Sequence, residues 1–244
     1  MNYIFYIALV GLIAGVGGTF TGSFIVLLVR EIRESLLAFV LGISAGIMTV
    51  VVFLDLLPEA LEVGSLGSTL LGMVLGVMLI VIMDQLLLHS YFNEKTGGNY
   101  FKSGILLTVS IALHNFPEGL AIGVGFSAES ILGLGLAILM GIHNFPEGMA
   151  MATTLSLAGL GNTAIMLIVF FSGIPMGIGA LVGAYLGSIS NFILSLSLGF
   201  AAGAMLYITF DDLIPNAHRK NQGGRAILGI LSGIFLGIIL SSML

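Results

Sequence analysis

The sequence predicts an all-α integral membrane protein. It reads as a single transmembrane domain over residues 1–244 with eight transmembrane helices, helices 1–3 and 6–8 forming inverted repeats around a central helix 4/5 pair. Three observations lead there. Only 8% of the 244 residues are charged and 58% are hydrophobic, whereas a soluble domain keeps roughly a quarter of its residues charged to stay compatible with water. Apolar stretches of the ~20 residues needed to cross a hydrocarbon core about 30 Å thick recur along the whole chain. Finally, a segment of helix 2 returns in helix 7.

The apolar stretches run at 3–29, 36–60, 66–89, 104–127, 131–157, 163–186, 193–216 and 224–242, so helices 1–3 occupy 3–89, helices 4–5 occupy 104–157 and helices 6–8 occupy 163–242. The loops between them leave no room for a second, soluble domain. Helix 1, opening "MNYIFYIALVGLIAGVGG", is apolar like a signal peptide. It lacks a basic n-region and an A-x-A-like cleavage site, and is expected to be retained. Helix 2 carries "GISAGIMTVVVFLDLLPEA" (42–60), which matches "GFAAGAMLYITFDDLIPNA" (199–217) of helix 7 at nine of nineteen positions, F-x-D-L-x-P included. Successive spans alternate direction, so the shared motif lies near one face in helix 2 and near the opposite face in helix 7. That is the inverted-topology pattern of many secondary transporters. Small residues four apart (Gly11/Gly15, Gly42/Gly46, Gly72/Gly76, Gly179/Gly183/Gly187, Gly199/Gly203, Gly229/Gly233/Gly237) predict close helix packing and no chemistry.

Orientation follows from seven basic residues. Arg30 and Arg33 lie between helices 1 and 2, Lys95 and Lys102 between helices 3 and 4, and Arg219, Lys220 and Arg225 about the 7–8 loop. With eight spans these three loops share a face, and cytoplasmic loops carry the Lys/Arg excess. Both termini are therefore expected outside. The opposite loops hold Glu62 and Glu129 and no basic residue.

Helices 4 and 5 each contain H-N-F-P-E-G, at His114–Gly119 and His143–Gly148. On a helix His and Glu at i and i+4, with Asn at i+1, share one face. Pro117 and Pro146 cannot donate to the carbonyls of Leu113 and Ile142, and are expected to kink their helices. Freed carbonyls in a bilayer survive only when buried in protein or lining a polar cavity. Two facing copies offer His114, Asn115, Glu118, His143, Asn144 and Glu147 as metal ligands. This nitrogen and oxygen set suits Zn²⁺, Fe²⁺ or Mn²⁺ better than Ca²⁺ or K⁺, since imidazole prefers transition metals. With no cysteine in the chain, thiolate sites and disulfides are excluded.

The remaining intramembrane acids have no lysine or arginine on the helices to pair with. Carboxylates at bilayer depth are normally paired, so a passing cation or a proton is their expected partner. By depth they form a path: Asp55 and Glu59 near the outer face, the two motifs at the midplane, then Asp211, Asp212, Asp84 and His89 toward the cytoplasm. His218, beside Arg219 and Lys220, reads as a surface histidine.

At these residues the chain resembles the ZIP (Zrt/Irt-like) family of divalent-metal transporters, prokaryotic type: eight helices, both termini outside, and HNFPEG in helices 4 and 5. The resemblance implies import of Zn²⁺, and often Fe²⁺, Mn²⁺ or Cd²⁺, as transported substrate with no cofactor. It also implies alternating access about a midplane site formed by the six motif residues, with Asp55 at the entrance and Asp212 at the exit. The expected partners are a divalent cation, the lipid bilayer and a second copy in a homodimer, with no nucleic acid, and the expected location is the cell membrane. Two departures matter. Many bacterial relatives place a glutamate before a proline in helix 6, where this chain reads "FSGIPMGIGAL" with only Ser172 and Met176 near Pro175. One full site with a weaker neighbour is thus expected. The 3–4 loop "SYFNEKTGGNYFKSG" lacks a histidine cluster, so metal sensing there is not expected. A passive cation channel would use the same residues. An intramembrane metalloenzyme is disfavoured, because neither H-E-x-x-H nor E-x-x-H occurs.

Overall fold

The computed structural model describes residues 2–29, 33–85, 100–220 and 224–242. Among the described residues there are eight helices and no strand. They are α1 (Asn2–Val29), α2 (Glu34–Val63), α3 (Leu66–Asp84), α4 (Tyr100–Ala128), α5 (Ser130–Leu157), α6 (Asn162–Gly187), α7 (Asn191–Lys220) and α8 (Arg225–Ser241). Six of them, α1, α2, α3, α5, α6 and α7, are long and apolar enough to cross a membrane. Among the described residues α8 is shorter, with 17 residues, and α4 is described only in part. α4 can carry polar residues because α1, α5, α6 and α7 pack around it.

Local chemistry sets the helix ends. Ser65 and Ser68 form a reciprocal capping box at the start of α3, and Ser190 caps α7 by accepting from the Ile193 N–H, each satisfying a donor with no intrahelical partner. Gly159, at φ 80°, ends α5 in the left-handed conformation that favours glycine. Within the helices Thr19, Thr49, Thr153, Thr154 and Thr209 donate to carbonyls four residues back, which hides their hydroxyls from lipid.

α2 and α7 are each interrupted by a π-helical turn, Val51–Leu56 and Thr209–Leu213, just before Pro58 and Pro215. A proline cannot donate to the carbonyl four residues back, and the wider turn accommodates that break. Asp55 sits in the first turn, Asp211 and Asp212 in the second.

The closest helix pairs are remote in sequence; α1 and α6 pack antiparallel (Gly11 to Ala180, Gly15 to Gly173), and the register of four other pairs shows that they run parallel. α1 meets α5 where Gly18 faces Gly141 and Gly22 faces Phe145. α2 meets α8 (Gly42 to Ala226, Gly46 to Ile230), and α3 meets α7 (Gly72 to Leu196, Gly76 to Phe200). α4 meets α6 through Gly119 to Met176 and Gly123 to Ala180. At each parallel contact a Cβ would collide with the backbone of the facing helix. Gly119→Val is therefore expected to part α4 from α6 and destabilise the protein by roughly 1–3 kcal/mol. A melting temperature in detergent equal to wild type would show that the helices do not touch there.

α2, α5 and α7 bury 67%, 61% and 67% of their most apolar windows, against 33% and 28% for α1 and α3. The first group, with α4, forms the centre of the bundle, and α1 and α3 face the surroundings.

Candidate functional site

α4 and α5 lie side by side and run unbroken past Pro117 and Pro146. From them Glu118, His143 and Glu147, all buried, bring one ligand atom each within 4.8 Å of one another. His143 Nε2 lies 3.2 Å from Glu118 Oε1 and 3.4 Å from Glu147 Oε1. Neither contact is aligned as a hydrogen bond: Nε2 and all four carboxylate oxygens are buried without a hydrogen-bond partner. Among the described residues His143 is the only ion-pair partner of either carboxylate. Donors about 2.0–2.1 Å from a tetrahedral metal stand roughly 3.3 Å apart. The two histidine–carboxylate separations already match that spacing, and unsatisfied buried acceptors are what a cation would satisfy.

The two asparagines are turned by α6. Asn115 Nδ2 donates to Ser172 O at 2.7 Å, and Asn144 Nδ2 donates to Met176 Sδ at 3.6 Å. A carbonyl and a thioether only accept, so each amide points its NH₂ at α6 and leaves Oδ1 as a buried oxygen with no partner. Both are available as neutral ligands. Ser172 and Met176 thus occupy the helix 6 positions singled out in the sequence, and neither supplies a carboxylate.

His114 does not join the trio. It is buried, with Nε2 3.3 Å from Ser110 Oγ and Nδ1 4.0 Å from Asp212 Oδ2. Asp212 is half-buried and accepts a bond from Asn216 Nδ2, while Asp211 is exposed. Together with Ser110 and Tyr207 these residues line a cavity of about 60 Å³. A larger one, about 300 Å³, runs from Glu147 and Asp212 past Ala150 and Thr154 to Leu157 and Asn216, near the ends of α5 and α7. At the opposite end Asp55, Glu59, Glu62, Glu129 and Ser241 surround a third, of about 200 Å³. Asp55 is buried there, with Oδ1 accepting from Ser241 Oγ at 2.6 Å and Oδ2 unpartnered.

Between the Asp55 cavity and the trio, the chain positions are apolar and sealed. Met48, Val51 and Val52 of α2, Ile122 of α4, and Leu136, Leu139 and Met140 of α5 are fully buried in one cluster. Asp84 closes α3, and its side chain, like all of His89, lies outside the described residues. His218 is exposed and donates from Nδ1 to Ile214 O, as a surface histidine would.

Sequence reasoning missed Ser44, which contacts His143 from α2, and Ser241, which contacts Asp55 from α8. No signal marked them, because an isolated serine in a Gly/Ala-rich helix ordinarily serves packing.

Comparison with known proteins agrees with these observations. The family model described as ZIP Zinc transporter matches residues 93–244. The chain is 33% identical over 234 residues to the zinc transporter ZupT of Salmonella paratyphi A, covering 91% of each protein. It has the same identity and coverage with ZupT of Salmonella newport. It is 34% identical over 177 residues to the zinc transporter GufA of Myxococcus xanthus, covering 71% of this chain and 70% of that protein.

Proposed function

We propose that this chain, which belongs to the ZIP zinc transporter family, imports zinc into the cytoplasm by alternating access through the Glu118–His143–Glu147 cluster. It is a membrane transporter of a divalent metal cation and not an enzyme. The observation that carries the proposal is the trio itself: two carboxylates and an imidazole, desolvated, gathered within reach of one metal and without hydrogen-bond partners at the facing atoms. Asn115 and Asn144 complete the coordination through Oδ1.

The arrangement of the cavities supports that direction. The one that reaches Glu147 opens toward the bundle end that carries Arg33 and Arg219, which the Lys/Arg bias assigns to the cytoplasm. The Asp55 cavity, on the other side of the apolar seal, is the entrance. This is an inward-facing state. His114 with Asp211 and Asp212 receives the ion on its way out. Both termini then lie outside the cell membrane, and the chain works as a homodimer, as the resemblance implies. Fe²⁺, Mn²⁺ and Cd²⁺ share these ligands and are further cargo, with selection depending on availability.

The inverted repeat has its support in matching contacts. Residues 157 apart pair in the same way: Gly42 faces Ala226 and Gly199 faces Thr69, while Gly46 faces Ile230 and Gly203 faces Met73. The two π turns are offset in the same way. Two halves of opposite orientation can exchange roles, which is the geometric basis of alternating access.

The test is metal influx into proteoliposomes, with Zn²⁺ and Fe²⁺ measured separately. Saturable influx with a steep temperature dependence is expected. Flux that rises linearly with concentration would replace the carrier by a channel, and no flux of any divalent metal would refute the reading.

A further inference from the structure

Three atoms of α2 and α5 meet around the outer side of the His143 ring. Ser44 Oγ lies 2.5 Å from His143 Nδ1 and 3.0 Å from His143 O, and Ser44 O lies 3.3 Å from His143 Nδ1. Both residues are fully buried. We propose that Ser44 is a positioning residue for the transport site: from α2 it holds His143 in the ring orientation and tautomer that present a bare Nε2 to Glu118 and Glu147. This rests on the metal-transport reading of that cluster.

The argument is a proton count. A serine hydroxyl has one proton and two lone pairs, and a carbonyl has lone pairs only. When Ser44 Oγ–H donates to His143 O, its lone pair is free to accept from Nδ1–H, and Ser44 O accepts from the same hydrogen. Two of the three contacts are then made by a proton on Nδ1. A neutral imidazole with its proton there has its lone pair on Nε2, the atom 3.2 and 3.4 Å from the two carboxylates. Metal-binding histidines are commonly fixed by such a contact on the other ring nitrogen, and loss of it weakens metal binding about 10–100-fold.

The repeated segment supplies a comparison within the chain. Ser44 aligns with Ala201 of α7, and His143 aligns with His114. Where the hydroxyl is absent, the histidine lies beside Ser110 and Asp212 and stays out of the trio. The Ser/Ala difference therefore breaks the symmetry of the two motifs, and makes His143 the imidazole of the central site.

The test is zinc affinity of the purified protein in detergent and zinc uptake in proteoliposomes, for Ser44→Ala and Ser44→Thr, each also in a His143→Gln background. Alanine is what the repeat carries at this position, and it removes one oxygen only. Ser44→Ala is expected to weaken zinc binding and raise KM about 10–100-fold, with maximal rate and melting temperature unchanged. Ser44→Thr, which keeps the oxygen, is expected to restore most of the affinity. In the His143→Gln background Ser44→Ala should add nothing, because its effect runs through the imidazole. Zinc affinity within twofold of wild type in Ser44→Ala would overturn the proposal. So would equal losses with and without His143, or a Thr variant as weak as the Ala variant, since packing would then explain them. Those results leave transport intact if wild-type uptake still disappears on substitution of Glu118 and Glu147. Wild-type protein that neither binds nor moves zinc removes both readings.

Discussion

Replacing Glu118 and Glu147 together by glutamine is expected to bring zinc uptake to the background of empty vesicles while the bundle stays folded. These carboxylates are the only negative charges in the trio, and a divalent ion moved out of water without them is left uncompensated in a medium of low dielectric. Disturbing only a group behind a ligand costs about 10–100-fold in affinity, so losing both anionic ligands should exceed that range. The fold should not suffer. All four carboxylate oxygens are buried without hydrogen-bond partners, and glutamine relieves like-charge repulsion between neighbours. The melting temperature of the metal-free double variant is expected to equal or exceed that of wild type, which separates a binding defect from an unfolded protein. Robust saturable uptake by the folded double variant would move the transport site elsewhere.

The second large effect is on pH. A metal can take His143, Glu118 and Glu147 only when they are deprotonated, so protons and metal compete for the site. As external pH falls, KM for zinc should rise, by up to about tenfold per pH unit for each proton displaced. The sign is fixed by the ligand chemistry: acid weakens binding and alkali does not restore more than full affinity. His143→Gln should flatten the profile, since one proton fewer then competes with the metal. Uptake unchanged from neutral to acidic external pH would count against direct ligation by the imidazole.

Much of this was legible in the sequence, and specific residues show where legibility ended. The π turns fall where F-x-D-L-x-P announced a shared feature of helices 2 and 7. The motif residues of helices 4 and 5 are buried together, as their repetition suggested. Which of the six side chains would converge was not legible. His114 and His143 are each followed by the same N-F-P-E-G, yet only His143 reaches the carboxylates. The difference comes from α2 and α7, which are about a hundred residues away and carry Ser44 in one case and Ala201 in the other. The asparagine orientations were hidden for the same reason, being set by Ser172 and Met176 of α6.

Composition and periodicity fixed the quantities that depend on a residue's own solvent preference: the membrane environment, the number of helices, and the helices on which polar groups sit. The helix pairing was decided only in three dimensions. Short loops would suggest that sequence neighbours pair antiparallel, but close contacts join distant helices, parallel in α1/α5, α2/α8, α3/α7 and α4/α6 and antiparallel in α1/α6. In lipid, apolar side chains gain little by leaving the hydrocarbon, so pairing is chosen by how closely two backbones can approach. That depends on glycines of two distant segments coming into register, as Gly119 does with Met176 and Gly148 with Thr19. No single segment carries that information, and the Glu118–His143–Glu147 cluster inherits its geometry from it.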